Sequence, residues 1–164
     1  AREPGGDMSG DDGDGDTLRP VINHVAITVD ASVLDEAGRA ALLDFYGAVF
    51  GWVEGDNSTE RGNPLIVYTG AMRQFLYLLP SSEEYLRAPR LDHFGLEVAS
   101  LEELVTILDR AKAYRDKDDR VTVIDLDEMV THGPTSDFTL TNAYIGFLIP
   151  LMIELQHIAE RPAG

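Results

Sequence analysis

The feature that most constrains this chain is a repeat. With an offset of 69 residues, HVAITVD at 24–30 lies over HFGLEVA at 93–99. In both stretches a histidine is followed by large apolar residues that alternate with small or polar ones. Alternation with period two marks a strand that buries one face. In the first copy Val25, Ile27 and Val29 share a face, with Asn23 at its start, and His24, Ala26 and Thr28 share the other. In the second, Phe94, Leu96 and Val98 oppose His93, Gly95 and Glu97. The two histidines therefore occupy equivalent places on the smaller, more polar face of equivalent strands.

The repeat extends beyond each strand into a helix. Asp30 or Ser32 is positioned to cap a helix over 33–50, where Leu34, Ala41, Leu42, Phe45, Val49 and Phe50 recur at helical spacing and Gly51 ends the run. Ser100 and Glu103 form a capping box ahead of Leu101, Leu104, Val105, Leu108 and Ala111, a helix that runs to about Tyr114. In the first half a short strand is expected around 52–54. A turn-rich loop comes next over 56–64, then strands over 65–69 and 74–79 around a tight turn at 70–72. In the second half strands are expected over 121–126, 138–147 and 151–157. A loop over 127–137 carries His132, Gly133 and Pro134. FLYLLP at 75–80 lies over MIELQH at 152–157, which sets Tyr77 over Glu154 and makes the second half eight residues longer. Those eight are assigned to the loop around His132. Such a repeat must be read before the fold class is decided. It predicts an α+β chain, with a first module over 18–80, a linker over 81–90 and a second module over 91–158. The end, 159–164, is expected to fray.

Composition narrows the function classes. The formal net charge is −16, from 13 Lys and Arg against 29 Asp and Glu, and there is no cysteine. Disulfides, thiolate metal sites and cysteine nucleophiles are excluded. Nucleic acid and anionic membrane surfaces are poor partners for such a chain, since both demand clustered cations. Residues 1–17 carry six carboxylates against Arg2, with five glycines, and are expected to form a disordered acidic tail. No apolar run approaches the roughly 20 residues of a spanning helix, and no signal-peptide pattern is seen. A cytoplasmic location is therefore expected.

INHVAITV (22–29), LLDFYGAVFGW (42–52), LDHFGLEV (91–98) and LMIELQHI (151–158) together resemble the vicinal oxygen chelate superfamily. That group includes glyoxalase I, fosfomycin-resistance thiol transferases, methylmalonyl-CoA epimerase, extradiol dioxygenases and bleomycin-binding proteins. The resemblance spans about residues 20–158. It implies two paired βαβββ modules that form a half-open mixed β-barrel with flanking helices, within one chain or between the chains of a homodimer. It also implies a small-molecule site whose divalent ion (iron, manganese, nickel or zinc) is held by His24, His93 and Glu154. Two imidazoles and a carboxylate suit such ions and leave positions open for two neighbouring oxygens of a substrate.

The carry-over is incomplete. Glyoxalase I and the epimerase usually place a Glu or Gln ligand where this chain has Tyr77, or Gln74 if the register slips. The dioxygenases usually carry a Tyr ten residues before the last Glu, where Tyr144 stands, but their Pro-x-Gly turn is altered here to Pro150-Leu151-Met152. Tyr144, Tyr77 and His132 are the candidate catalytic groups; the two tyrosines also suit a pocket wall, and His132 also suits an exposed loop. Glu97 is either a partner that orients an imidazole or a solvated charge. Trp52 is expected in the core, and His157 on the face away from the site. The expected function is a metal-dependent enzyme of dioxygenase or lyase/isomerase type. The alternatives are a metal-free drug- or metabolite-binding protein, and an assembly component that has kept only the fold.

Overall fold

The computed structural model describes residues 21–56, 63–70, 73–133 and 136–162. The acidic tail, most of the 56–64 loop, the tip of the 70–72 turn and Pro134 lie outside the described residues. The first module runs β1 (His24–Asp30), α1 (Glu36–Phe50), β2 (Val53–Glu54), β3 (Leu65–Tyr68) and β4 (Phe75–Ser81). The second runs β5 (His93–Glu97), α2 (Leu101–Arg115), β6 (Thr122–His132), β7 (Ser136–Gly146) and β8 (Met152–Pro162). The sheet orders are β1-β4-β3-β2 and β5-β8-β7-β6. In each the first strand runs parallel to the last, and the remaining pairs are antiparallel. The α+β class and the two βαβββ modules thus stand, as two separate four-stranded mixed sheets with no closed barrel.

Local chemistry explains the element ends. The helix expected over 33–50 is divided. Asp30 accepts a bond from the Ser32 N–H and caps a 3-10 turn, Ala31–Leu34, before Asp35 caps α1 by accepting from the Gly38 N–H at 2.7 Å. Two aspartates five residues apart offer two starts, and the chain uses both. Gly51 closes α1 at φ 73°, where a side chain would be strained. The Ser100 hydroxyl accepts from the Glu103 N–H, and the Glu103 carboxylate reaches back to the Ala99 N–H.

The largest departure is the 127–137 loop. It is mostly strand. Beyond a register shift between Ile124 and Asp127, β6 pairs with β7 from Asp127 opposite Asn142 to His132 opposite Asp137. β8 accompanies β7 to Pro162, so the expected frayed end is paired backbone at least to that residue. The eight extra residues and the His132-Gly133-Pro134 turn read as a loop. Cross-strand pairing of Met129 with Leu140, and of Leu140 with Ile158, outweighs it.

The odd-numbered apolar residues of β1 and β3 (Ile27, Val29, Leu65, Val67), the even-numbered ones of β4 (Leu76, Leu78) and their counterparts Ile145, Ile153 and Leu155 share one hydrophobic cluster with both helices. Aromatic packing joins the modules. Phe45 of α1 stacks on Phe147 at 4.4 Å between ring centroids and meets Tyr114 of α2 edge-on at 5.2 Å. The Tyr114 hydroxyl donates to Asp44 at 2.6 Å. Loss of hydration, then this bond, pushes the Tyr114 phenol up to about 12. Trp52 stacks on Tyr46 and Phe50 within the core, as expected. No helix among the described residues is long and apolar enough to cross a membrane.

Phe45 is wholly buried where the two modules meet. Phe45→Ala is expected to cost about 3–5 kcal/mol of stability, read as a lower midpoint in urea denaturation with an unchanged slope.

Candidate metal centre

Each sheet buries the face toward the helices, so the opposite face carries the polar residues of the repeat. On β5 that face presents His93, Gly95 and Glu97. Pairing sets Gly95 opposite Glu154 of β8, and Tyr144 of β7 opposite Glu154 on its other side. Three side chains meet there. His93 Nε2 lies 3.3 Å from Glu154 Oε2, the Tyr144 hydroxyl donates to Glu154 Oε1 at 2.8 Å, and the His93 and Tyr144 rings meet edge-on at 5.2 Å. A Cβ at Gly95 would stand 3.2 Å from Glu154 Oε2, tighter than ordinary contact, so the missing side chain leaves the carboxylate its place. Further along the same face, the Gln156 amide donates to Asn142 at 3.0 Å.

The protons on this cluster can be placed. His93 Nδ1 lies 2.7 Å from the Leu91 carbonyl oxygen. A carbonyl only accepts, so Nδ1 carries hydrogen. In the neutral ring Nε2 then presents a lone pair to a carboxylate oxygen. Two states satisfy that pair: an imidazolium that donates to the carboxylate, or a cation held between the two. Ligands about 2.0–2.2 Å from one ion and roughly at right angles or tetrahedral to each other stand about 3 Å apart, so the 3.3 Å separation fits a shared ion. An imidazole with its far N–H on a backbone carbonyl is the usual posture of a metal-binding histidine. The bond to Glu154, followed by loss of hydration, raises the Tyr144 phenol pKa.

His24 stands apart from this cluster. Its Nδ1 pairs with the Asn23 side-chain oxygen at 2.8 Å, and its ring lies parallel to Phe75 at 4.9 Å. His24 lines a half-open cleft of about 700 Å³ with Trp52, Phe75, Phe94, Gly95 and Glu97. Among the described residues no group of three or more His, Asp or Glu side chains is close enough to hold one ion. The structure therefore brings His93, Glu154 and Tyr144 together, and does not bring His24 to them within one chain.

The remaining candidates separate further. Tyr77 pairs in register with Ala26, as Glu154 pairs with Gly95, so it holds the place equivalent to the glutamate in the first module. His132 ends β6, mostly exposed, with Nδ1 hydrogen-bonded to the Asp137 carboxylate at 2.8 Å. Glu97 is exposed, and it is the Leu91 carbonyl that orients His93. Sequence reasoning missed the parts played by Gly95, Phe75 and the Leu91 carbonyl. A glycine inside a strand was the one available signal; a backbone carbonyl leaves none.

No protein-family model matches the sequence, and no curated protein matches it. Solved structures match the fold. The fosfomycin resistance protein FosX from Listeria monocytogenes superposes with a TM-score of 0.55 at 14% identity, over 85% of this chain and 94% of that one. A glyoxalase/bleomycin resistance protein from Albidiferax ferrireducens gives 0.52 at 15% identity, over 83% and 98%. A variant of the Listeria FosX with manganese(II) and 1S,2S-dihydroxypropylphosphonic acid gives 0.50 at 13%, over 84% and 92%. The neighbours belong to the vicinal oxygen chelate superfamily, and this chain has their fold.

The proton placement has a direct check. With the Glu154 charge removed in Glu154→Gln, the Tyr144 phenol is expected to ionise at lower pH than in the wild type, closer to the ordinary value near 10. Titration of the tyrosine ring carbons by NMR, with Tyr144→Phe to assign the signal, reads the shift. An unchanged midpoint contradicts the assigned bond.

Proposed function

Taking the vicinal oxygen chelate fold as premise, we propose that this chain is a metal-dependent enzyme acting on a small molecule with two neighbouring oxygens. His93 and Glu154 would hold a divalent ion together with His24. The observation that carries this reading is the His93–Glu154 pair, an imidazole nitrogen and a carboxylate oxygen 3.3 Å apart with the far nitrogen tied to the Leu91 carbonyl. The manganese(II) bound by the FosX neighbour supports a divalent ion of that kind. When bound, the ion supplies Lewis acidity to substrate oxygens. The chain's own groups do the rest. Tyr144 holds the Glu154 carboxylate in one orientation, and its raised pKa keeps the phenol protonated to donate that bond. Gly95 keeps the space open.

His24 is proposed to come from a second copy, making the active form a homodimer in which the first module of one chain faces the second module of its partner. Two facts support this. His24 does not join the pair within one chain, and the face bearing His93 and Gly95 is exposed. The reaction classes this reading leaves open are dioxygenase and lyase/isomerase. The competing reading, a metal-free binding protein, draws on the half-exposed aromatic face around Phe75 and Tyr77.

The two are separated by equilibrating the full chain with Mn(II) and dialysing it against metal-free buffer. Wild type is expected to retain close to one ion per chain. His24→Ala and His93→Ala should each lose at least the roughly tenfold in affinity that even outer-sphere changes cost. Co-refolded His24→Ala and His93→Ala chains should regain one intact site per unlike pair. Retention no better than that of His93→Ala overturns the metal reading. Retention without recovery in the mixed sample overturns the shared site alone.

A further inference from the structure

The two sheets present four edge strands, and these differ in how open they are. β2 is two residues long and β5 is five. The linker lies along β1, where the Leu86 N–H donates to the Thr28 carbonyl at 2.9 Å. β6 is eleven residues long and contains no Lys, Arg or Pro, the residues that commonly guard an exposed edge. Its irregularity ends at Asp127, and from there the ladder to β7 runs unbroken to His132. Every residue over 126–132 is exposed, with Met129 and Val130 each about half so. The Leu126 N–H is taken by the Asp125 carboxylate. Among the described residues, no backbone bond from outside the ladder reaches 127–132.

The side chains on this edge are complementary to themselves. Alternation sets Glu128, Val130 and His132 on one face of β6, and Asp127, Met129 and Thr131 on the other. A second copy that pairs antiparallel about a two-fold axis keeps like faces together, so even-numbered residues face even and odd face odd. Centred on Val130, that register sets Val130 against the partner's Val130, Met129 against the partner's Thr131 and Glu128 against the partner's His132. Centred on Glu128, it would oppose two like carboxylates, which is unfavourable. Centred on Met129, it leaves Glu128 facing a valine. Of the registers centred on residues 128–131, the one at Val130 alone sets an acid against a base. His132 suits that role. Its Nδ1 bonds Asp137 at 2.8 Å, its side chain is 76% exposed, and the next charge on that face is Arg161, opposite Asp137 on β8. A second carboxylate then holds an imidazolium between two acids.

We infer that β6 is a docking edge for the β6 of a second copy of this chain, paired antiparallel about Val130, which joins two second modules into one continuous sheet. The interface is separate from the metal site proposed above. β6 is the outer strand of the order β5-β8-β7-β6, whereas His93 and Glu154 stand on β5 and β8. Residues 128–132 of each copy make a small contact, so the association is reversible and in the micromolar range.

Sedimentation of the full chain at about pH 6, where histidine carries charge, reads the association. At roughly 100 µM the weight-average mass of the wild type is expected to approach twice that of Val130→Lys, which sets two cations against each other across the axis. Val130 is exposed, so this variant should keep the thermal midpoint of the wild type. Val53→Lys, on the β2 edge, should sediment as wild type does. Glu128→Gln separates pairing from plain repulsion. Relief of repulsion between acidic edges would tighten association, whereas loss of the Glu128–His132 pair should weaken it roughly two- to tenfold. The chain has no cysteine, so a single introduced one reports the register. Under oxidised glutathione, Val130→Cys should cross-link to its own copy, because facing Cβ atoms stand about 5 Å apart. Leu126→Cys, similarly exposed, should not, because its two copies would stand roughly 26 Å apart. Equal masses for wild type and Val130→Lys overturn the interface. So does unchanged or tighter association of Glu128→Gln, or cross-linking of Leu126→Cys as fast as that of Val130→Cys. Each of these leaves the metal site standing.

Discussion

The period-two alternation of the first and last strand of each module is the constraint on which the rest depends. One face of each sheet must be buried, and the two helices supply the cover. Because α1 and α2 also pack on each other through Phe45, Tyr114 and Phe147, both sheets bury their apolar faces in one shared cluster. Their polar faces are left outside it. The chemistry-bearing residues of the repeat, His24 and His93, fall on those outer faces for the same reason that Ile27 and Leu96 fall inward. A slip of one residue in either strand would exchange the two sets.

The site itself is a matter of register. β5 and β8 run parallel, so Gly95 and Glu154 are neighbours, and the absent side chain at one makes room for the carboxylate of the other. β7 then supplies Tyr144 as a direct cross-strand partner. Backbone fixes all three positions, which holds the cluster more firmly than loops would. The first module repeats the geometry with different chemistry. Ala26 opposes Tyr77 there, and the face turns from ligand-bearing to aromatic. One half of the repeat thus carries an acid–imidazole pair, and the other carries a lone histidine on an apolar wall.

Much of this was legible in the sequence. The offset of 69 residues placed His24 over His93 and fixed the pairing of strands with helices. The alignment of Tyr77 with Glu154 agrees with the observed register in both sheets. Tyr144, singled out by the resemblance to the dioxygenases, is hydrogen-bonded to Glu154. The rest was hidden for physical reasons. The extension of β6 beyond Leu126 depends on cross-strand contacts between residues far apart in sequence, so the extra length of the second half reads as loop. The split between the 3-10 turn and α1 turns on which of two capping aspartates is used, and both are. The separation of His24 from the His93–Glu154 pair reflects how the modules pack, and no local pattern encodes that.

In the proposed site, imidazoles from both halves of the repeat meet on one divalent ion. The most direct measurement is electron spin echo envelope modulation on the Mn(II)-loaded protein, with every histidine labelled with nitrogen-15. Two coordinated imidazole nitrogens are predicted for the wild type, one for each of His24→Ala and His93→Ala, and none for the double variant. A single imidazole in the wild type, unchanged in His24→Ala, would contradict the shared site, and none at all would contradict the metal centre itself.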